Sequence, residues 1–372
     1  MNNKALFIIN SLSNGGAERV CINMANELIK ENFNVDFIIL KPMEERKNNY
    51  EINKKINIYS LNCKSKSGLM KFIELFFKIN KMNKIIKENQ KNGKYNLITS
   101  HLPMANIITR FSIVKNKSIY VFHTKIEIYE KISHRLFTTL LNIFFKKKKI
   151  VCVSNGVRNE GINIYKMNEK FLKTIYNPLD LKTIEKKAYE KLDSDYGPYM
   201  LLVGRFNEAK RQDRAIEVFY KGKFYKNYKL LFCGIGKLEE EIKIKVKEYG
   251  LEDKVTFLEW QSNVYKWIKN ADILLCTSDY EAFPMNLIEA FACKTKVVAS
   301  NCDYGPSEIM LGEYKEFLVE TTNVNDYIKK INEALSNYPT SENAILEKCK
   351  SSEIIKKYLN FFKEDIRWKL EL

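Results

Sequence analysis

Short apolar runs alternate with amphipathic stretches of helical length along the whole chain, and this alternation restricts the fold more than any other feature. Such runs are typical of strands buried on both faces of a parallel sheet, and the stretches between them suit crossover helices. The pattern therefore predicts an α/β fold. The predicted strands are residues 5–9, 35–40, 56–61, 97–100, 118–122 and 150–153 in the first half, and 199–203, 229–233, 254–258, 273–276, 296–300 and 317–319 in the second.

The chain is long enough for two domains, because single hydrophobic cores stop growing at roughly 250 to 300 residues and this chain has 372. We place the join at Tyr176-Asn177-Pro178, since proline disfavours helix at the residue before it. The predicted fold is two Rossmann-like doubly wound domains, 1–180 and 181–349, facing each other across a cleft. Helical spacing runs from 343 to 368, and the C-terminal helix, about 350–372, is expected to return to the first domain.

Several protein classes are disfavoured by composition. The apolar runs at 5–9 and 136–145 are too short for a membrane span, which needs about 20 apolar residues. The eight cysteines lack the spacing of metal ligands, and there are only three histidines, so a structural zinc site is not expected. We expect reduced cysteines, a cytoplasmic protein, and neither a metal nor another cofactor.

Positive charge is confined to the first half of the chain. Residues 1–180 hold 31 Lys and Arg against 14 Asp and Glu, whereas the remaining residues hold 31 of each, so the first half carries the whole net charge of +17. Such a field attracts an anionic partner, either lipid head groups or nucleic acid. A lysine-rich genome is the alternative explanation, although it does not account for the neutral second half.

Two segments of the basic half combine apolar stripes with lysines. Residues 71–87 place apolar side chains at helical spacing among lysines, and residues 134–145 run into the four lysines 146–149. Both fit helices that lie on the surface of an anionic membrane, on its cytoplasmic side. Both also fit ordinary amphipathic helices whose charged side faces solvent.

Gly15 and Gly16 lie where the first strand turns into a helix, in the sequence Ser-Leu-Ser-Asn-Gly-Gly-Ala-Glu-Arg at 11–19. Without Cβ atoms, the backbone N–H groups and the helix N-terminus can approach a phosphate or a sugar closely. The segment is neither the Gly-x-Gly-x-x-Gly of dinucleotide-binding folds nor a P-loop.

Arg205 and Lys210 follow a predicted strand of the second half, at the sheet edge where open α/β folds bind ligands. Two cations there suit a diphosphate whose negative charge grows as it departs. Further along, Glu281 and Glu289 flank a loop and the helix that Pro284 can open. Glu289 can accept hydrogen bonds from both ribose hydroxyls, while Glu281 and the segment Phe283, Pro284, Met285, Asn286 and Leu287 face the transferred sugar.

These motifs, followed by Asp-Tyr-Gly-Pro-Ser-Glu-Ile at 303–309, resemble in order and spacing the retaining glycosyltransferases of family 4, which have the two-domain GT-B fold. The resemblance covers residues 5 to about 320. It implies that Arg205 and Lys210 bind the diphosphate of a nucleotide-sugar, and that Gly16 contacts its phosphate or sugar. It also implies that no metal is needed, because the two cations and the helix N-termini replace one.

The resemblance also assigns a sugar contact to His123, which stands just past a predicted strand; His101 and His134 are weaker candidates. Residues 258–264 occupy the nucleobase position, with Trp260 and Val264 as contacts, although a structural role for Trp260 is equally compatible. This sequence departs from the family at Ala282 and Lys294, where glycine is usual. Contacts to the sugar near Ala282 are therefore in doubt.

The expected function is transfer of a sugar, with retention of configuration, from UDP-hexose or UDP-N-acetylhexosamine to a glycan. The acceptor would be a lipid-linked oligosaccharide, a lipooligosaccharide or capsule. The alternatives are a sugar-nucleotide epimerase of the same architecture and a binder of nucleotide-sugars without catalytic activity. Nucleic-acid binding is disfavoured because the sequence lacks a recognition-helix motif and the stacking aromatics of an RNA-binding module.

Overall fold

The computed structural model describes residues 3–13, 15–41, 52–62, 70–127 and 133–367. Asn14 of the Gly-Gly motif and residues 368–372 of the predicted last helix lie outside this set. The chain divides into two compact units: residues 1–178 with 349–372, and residues 179–348. Among the described residues, no helix combines the length and the apolar character that a membrane span requires.

The first unit is built on a sheet of seven parallel strands in the order β3-β2-β1-β4-β5-β6-β7. Phe7 pairs in register with Phe37 on one side and Thr99 on the other. The strand order reverses direction between β1 and β4, which is the point where doubly wound sheets bind ligands. The strands are β1 (Lys4–Ile9), β2 (Asn34–Ile39), β3 (Asn57–Ser60), β4 (Leu97–His101), β5 (Ile119–Phe122), β6 (Ile150–Cys152) and β7 (Leu172–Thr174).

Among the described residues, every helix of this unit except α4 contains buried side chains. They are α1 (Gly16–Lys30), α2 (Met70–Gln90), α3 (Pro103–Arg110), α4 (His134–Phe145), α5 (Asn155–Asn163) and, from the end of the chain, α14 (Ser351–Arg367). In α1 the buried residues Val20, Met24 and Leu28 recur at helical spacing. α14 packs on α1 and β4, and the buried Lys149 donates a hydrogen bond to the carbonyl oxygen of Phe361.

The second unit has six parallel strands in the order β10-β9-β8-β11-β13-β15. Those strands are β8 (Tyr199–Val203), β9 (Lys229–Cys233), β10 (Val255–Phe257), β11 (Ile273–Cys276), β13 (Val297–Ser300) and β15 (Leu318–Val319), with a separate pair β12 (Tyr280–Glu281) and β14 (Asp303–Tyr304). The helices are α6 (Leu181–Ala188), α7 (Gln212–Lys221), α8 (Glu239–Glu248), α9 (Tyr265–Asn270), α10 (Met285–Ala292), α11 (Gly305–Ile309), α12 (Val324–Ser336) and α13 (Ile345–Lys348).

All twelve predicted strands are present, which confirms the α/β prediction and the two Rossmann-like sheets. The edge strand β7 was not predicted because its three residues include Lys173 and give no apolar run. The prediction of one helix over 343–368 is wrong in detail, since α13 ends at Lys348 and α14 begins at Ser351. The break falls where the chain passes from the second unit back to the first.

Candidate active-site residues

The turn that carries Lys210 lies directly beyond the carboxyl end of β8. Residues 208–210 form a single 3-10 turn, and the side chain of Asn207 accepts a hydrogen bond from the backbone N–H of Lys210 at 3.2 Å. Gln212 donates to the carbonyl oxygen of Arg205 at 2.9 Å, which fixes the start of this loop. The Arg205 side chain is exposed at the same sheet edge.

Lys210 and Glu281 are brought together as an ion pair, although 71 residues separate them in sequence. Ser278 donates a hydrogen bond to the same oxygen of Glu281, Oε1, at 2.8 Å. Burial is the largest single influence on the pKa of Lys210 and lowers it, but the opposing effects, led by the charge of Glu281, together outweigh burial and raise the pKa above its ordinary value. Lys210 is therefore a fixed positive charge with its carboxylate partner already in place.

A second set of contacts ties the Lys210 turn to the loop before Glu281. The Thr277 hydroxyl donates to the carbonyl oxygens of Lys210 and Arg211 at 3.0 and 2.9 Å. The buried Arg214 donates to the carbonyl oxygen of Thr277 and to Asp279, both at 2.6 Å. Because the two loops share these contacts, the position of Lys210 depends on the Thr277–Asp279 segment.

Helix α10 begins four residues after Glu281, and contacts of its first turn and of the residues just before it fix its start. Asn286 in its first turn donates to the carbonyl oxygen of Val203, the last residue of β8, at 2.9 Å. Gly305 packs so closely that an added Cβ atom would lie 2.7 Å from Cα of Phe283 and 2.8 Å from the carbonyl oxygen of Ala282. This contact explains why the Asp303–Ile309 motif needs glycine at this position. Glu289, on the second turn of the helix, is 2% exposed.

Gly234, directly after β9, allows three loops to meet at this edge. Gly234 has a φ of +152°, and an added Cβ atom would lie 2.1 Å from the carbonyl oxygen of Gly204. Its N–H donates to the carbonyl oxygen of Glu259 at 2.7 Å. The contact places the predicted nucleobase segment next to the β8 loop, with Trp260 half-buried and Val264 buried.

In the first unit, the Gly-Gly turn and two histidines lie at the carboxyl ends of adjacent strands. Gly15 is the N-cap of α1, and Gly16 is its first residue. A Cβ atom added at Gly16 would meet nothing within 4 Å. His101 ends β4, and His123 directly follows β5.

The two histidines form a direct hydrogen bond between Nδ1 of His101 and Nε2 of His123, at 2.9 Å. Burial lowers the pKa of His123 to about 4 and lowers that of His101 well below its ordinary value. Both rings are therefore neutral near pH 7. The ring of Phe7 stacks on His101 with centroids 5.9 Å apart.

The segment after His123 is held by a buried carboxylate on α5. The two oxygens of Glu160 accept hydrogen bonds from the backbone N–H groups of Ile126 and Glu127, each at 2.9 Å. Burial raises the pKa of Glu160, and the two N–H groups oppose that effect. Glu160 therefore fixes the segment that directly follows His123.

The structure thus groups Lys210, Glu281 and the start of α10 at the edge of the second sheet, and Gly16 and His123 at the edge of the first. Sequence reasoning did not identify Ser278, Gly234, Arg214 or Glu160, because their roles come from contacts between distant segments. Gly234-Ile235-Gly236, directly after a predicted strand, was the one local signal available. Within the described residues, no three His, Cys, Asp or Glu side chains are grouped to hold a metal ion.

Two family models match the chain, one in each half. Glycosyltransferase Family 4 matches residues 14–183, and Glycosyl transferases group 1 matches residues 184–350. An uncharacterised glycosyltransferase of Haemophilus influenzae is 28% identical over 91% of both chains. The N-acetylgalactosamine-N,N'-diacetylbacillosaminyl-diphospho-undecaprenol 4-alpha-N-acetylgalactosaminyltransferase of Campylobacter jejuni is 26% identical, covering 96% of this chain and 100% of that one.

Solved structures share the fold at lower identity. A complex of Anabaena HepE with UDP-glucose aligns with a TM-score of 0.70 and 17% identity, over 99% of this chain and 100% of that one. A mutant of S. aureus TarM in complex with fondaparinux, alpha-GlcNAc-glycerol and UDP aligns with a TM-score of 0.75 and 15% identity, over 97% and 99%. The matched models and the two sheets together show that the chain is a glycosyltransferase and belongs to family 4, with the GT-B pair of Rossmann-like domains.

Proposed function

We propose that the protein transfers a hexose or an N-acetylhexosamine from a UDP-sugar to a glycan acceptor, with retention of the anomeric configuration. The observation that carries the proposal is the Lys210–Glu281 pair at the carboxyl edge of β8, next to the N-terminus of α10. A cation and a helix N-terminus at one edge suit a diphosphate, whose negative charge increases as it leaves. The half-buried setting strengthens this stabilisation because it limits solvent screening.

Each side chain has a role in this scheme. Arg205 and Lys210 bind the diphosphate, the buried carboxylate of Glu289 accepts the ribose hydroxyls, and Glu281 binds the transferred sugar. The backbone of Phe283–Leu287 contacts that sugar, and the Trp260–Val264 segment holds the base. From the first unit, Gly16 and His123 contribute contacts to the phosphate and the sugar.

The reaction follows a front-face route without a protein nucleophile. The bond between the sugar C1 and the diphosphate oxygen breaks, and a bond between C1 and the acceptor oxygen forms on the same face. The acceptor proton passes to the departing diphosphate. Configuration is retained because both bonds lie on one face of the ring.

The test of the cationic site is Lys210→Ala, with Lys221→Ala as its matched control. Lys221 also pairs with a glutamate, Glu217, at 2.6 Å, but it lies at the end of α7. We expect turnover of a UDP-sugar to fall by about 10² or more in Lys210→Ala, as for loss of one preorganised group facing a developing anion, and to stay near normal in Lys221→Ala. A near-normal rate in Lys210→Ala contradicts the scheme.

Retention is tested on the product itself. The anomeric coupling constant of the new linkage, measured by NMR, should match that of the UDP-sugar, and an inverted product rules out the front-face route. A screen of UDP-sugars with detection of the glycan product identifies the sugar. Formation of an isomeric UDP-sugar without any acceptor would point to an epimerase instead.

We further propose that the acceptor is lipid-linked and that the enzyme works on the cytoplasmic face of an anionic membrane. Supporting relatives include the Campylobacter jejuni enzyme named above, whose name specifies a diphospho-undecaprenol substrate, and a lipopolysaccharide 1,6-galactosyltransferase of Salmonella typhimurium, 27% identical over half of this chain. The apolar side chains Leu136, Leu140 and Ile143 of α4 are 50%, 49% and 63% exposed, and the exposed lysines 146 and 147 follow directly. An apolar face beside cations suits anionic lipid head groups.

A further inference from the structure

We propose that His101 is a positioning residue that sets the tautomer of His123: His101 donates from Nδ1 to Nε2 of His123, so that His123 carries its own proton on Nδ1. The inference rests on the proposed sugar contact of His123 and deepens it. It defines which ring nitrogen is the hydrogen-bond donor that His123 can offer to a sugar hydroxyl.

The geometry allows a single proton between the two rings. Nδ1 of His101 and Nε2 of His123 are 2.9 Å apart, which is an ordinary N–H···N hydrogen bond. A neutral imidazole has one N–H donor and one bare acceptor nitrogen. The position of the shared proton therefore decides the tautomers of both rings.

The other nitrogen of His101 distinguishes the two arrangements. His101 is 0% exposed, and its Nε2 has no hydrogen-bond partner among the residues that the structure describes. If His123 donated, His101 would have to carry its proton on that nitrogen, leaving a buried N–H group without an acceptor. If His101 donates from Nδ1, its Nε2 carries no proton, and only an unused lone pair faces the apolar core.

The second arrangement costs less, because an orphaned buried N–H group is rarer in proteins than an acceptor with an unused lone pair. The stacked Phe7 ring, 5.9 Å from the His101 ring, contributes apolar surroundings. His101 is thus held in the Nδ1–H form, and His123 accepts from it. A neutral histidine side chain in water prefers the opposite, Nε2–H form, so the pair would hold His123 in its less common tautomer.

The primary test is a long-range ¹H–¹⁵N NMR spectrum of the full-length protein, labelled with ¹⁵N-histidine. The chain contains only three histidines, and His134→Gln assigns the third. We expect both His101 and His123 to show the Nδ1–H pattern near pH 7. An Nε2–H pattern for His123 overturns the proposal, and no enzymatic activity is needed for this measurement.

Two substitutions test the direction of donation. The amide of His101→Asn keeps a donor near the position of Nδ1, so the variant should preserve the His123 tautomer and most of the kcat. His101→Asp offers only an acceptor when ionised, so it should move the His123 proton to Nε2 and lower kcat by about 10², as for loss of one aligned donor. Equal loss in the two variants, without a change of tautomer, indicates a purely structural role and overturns the proposal.

The proposed function fails in a different way. If His123→Ala turns over a UDP-sugar at the normal rate, His123 does not contact the reacting sugar, while the NMR assignment still decides the tautomer. If the Asp variant does not fold, the spectra of the unsubstituted protein and of His101→Asn are sufficient to decide it.

Discussion

At the scale of single residues, Gly16 and Gly234 differ in what a methyl group would meet. At Gly234 the backbone has a φ of +152° and the added Cβ atom would lie 2.1 Å from the carbonyl oxygen of Gly204. At Gly16 the same atom would meet nothing within 4 Å. Substitution by alanine therefore tests two separate properties, the packing of the loops and the approach of a ligand.

Gly234→Ala is expected to lower the free energy of unfolding by about 2 to 4 kcal/mol, because the loops after β8 and β9 must separate. Gly250→Ala is the control, since Gly250 has a φ of +63° but no atom within 4 Å of the added Cβ; it should cost only about 1 to 2 kcal/mol, from the left-handed backbone alone. Denaturant unfolding measures both values. Equal losses in the two variants would show that the contact with Gly204 has no energetic weight.

Gly16→Ala is expected to leave the free energy of unfolding nearly unchanged, because the helix N-terminus has room for the methyl group. If the proposed phosphate or sugar contact is real, the KM for the UDP-sugar should nevertheless rise about 10-fold or more, since the backbone can no longer approach the ligand. Steady-state kinetics and denaturant unfolding on the same preparation separate the two effects. An unchanged KM removes Gly16 from the site.

The buried histidine pair makes stability depend on pH. The pKa of His123 is lowered to about 4 and that of His101 is also lowered, so below about pH 6.5 the unfolded chain takes up protons that the folded chain does not. The stability is complete above pH 6.5 and should fall as the pH drops towards 4. Each unit of pKa difference contributes about 1.4 kcal/mol.

Unfolding by denaturant between pH 7 and pH 4 measures this dependence. The His101→Phe/His123→Phe double variant should show a smaller fall than the unsubstituted protein. His134→Gln is the control because His134 is exposed on α4, and it should leave the slope unchanged. The same slope in the double variant would mean that other groups cause the pH dependence.

Residue identity and spacing identified Lys210 and Glu281 as candidate site residues and placed Gly16 near a sheet edge, because each follows a predicted strand. They did not predict the Lys210–Glu281 ion pair or its support by Ser278 and Thr277, since those contacts require the side-chain geometry of two loops. His101 was a weak candidate from sequence. Its significance comes from its contact with His123, which lies on the neighbouring strand's loop.

At the scale of elements, α4 differs from the other helices of its unit because none of its residues is buried. It is nevertheless anchored, since Arg110 donates to the carbonyl oxygen of Phe144 at 2.5 Å and the ring of Phe111 packs edge-on against that of Phe144. The outer side chains Leu136, Leu140 and Ile143 are thus held in place while facing away from the core.

Replacing Leu136, Leu140 and Ile143 together by serine is expected to weaken binding to vesicles that contain anionic phospholipid by 10-fold or more. The physical reason is loss of apolar burial, worth about 1.5 to 3 kcal/mol for each fully buried side chain. Ile244→Ser is the control, because Ile244 is 60% exposed but lies on α8 in the neutral half. Vesicle co-sedimentation measures the affinity, and unaltered binding by the triple variant contradicts a membrane role for α4.

Strands were predicted more reliably than helix ends. All six strands predicted in the second half lie within one residue of their predicted limits at each end, because short apolar runs mark them. The pair β12–β14 was not predicted, since two-residue strands leave no periodic pattern. The division between α13 and α14 was also missed, because helical spacing continues through Cys349, which is buried.

At the scale of the whole molecule, the net charge of +17 belongs to residues 1–180 alone. If this charge attracts the membrane, vesicle binding should weaken steeply as ionic strength rises, because the screening length falls from about 10 Å at 0.1 M salt to about 3 Å at 1 M. Lys146→Gln with Lys147→Gln should reduce that salt dependence, each charge being worth about 1 kcal/mol near an anionic surface. Salt-independent binding would assign the interaction to the apolar side chains only.

The first unit contains residues from both sides of the second unit in sequence. Helix α14 follows the second unit in sequence, yet it packs on α1 and β4, which precede that unit. A nascent chain emerging from the ribosome would therefore complete the second Rossmann-like unit, residues 179–348, before α14 could pack on the apolar face of α1. Residues 1–178 can complete their packing only after α14 has been synthesised. A chaperone that shields α1 during translation would therefore protect an apolar face that is exposed until then.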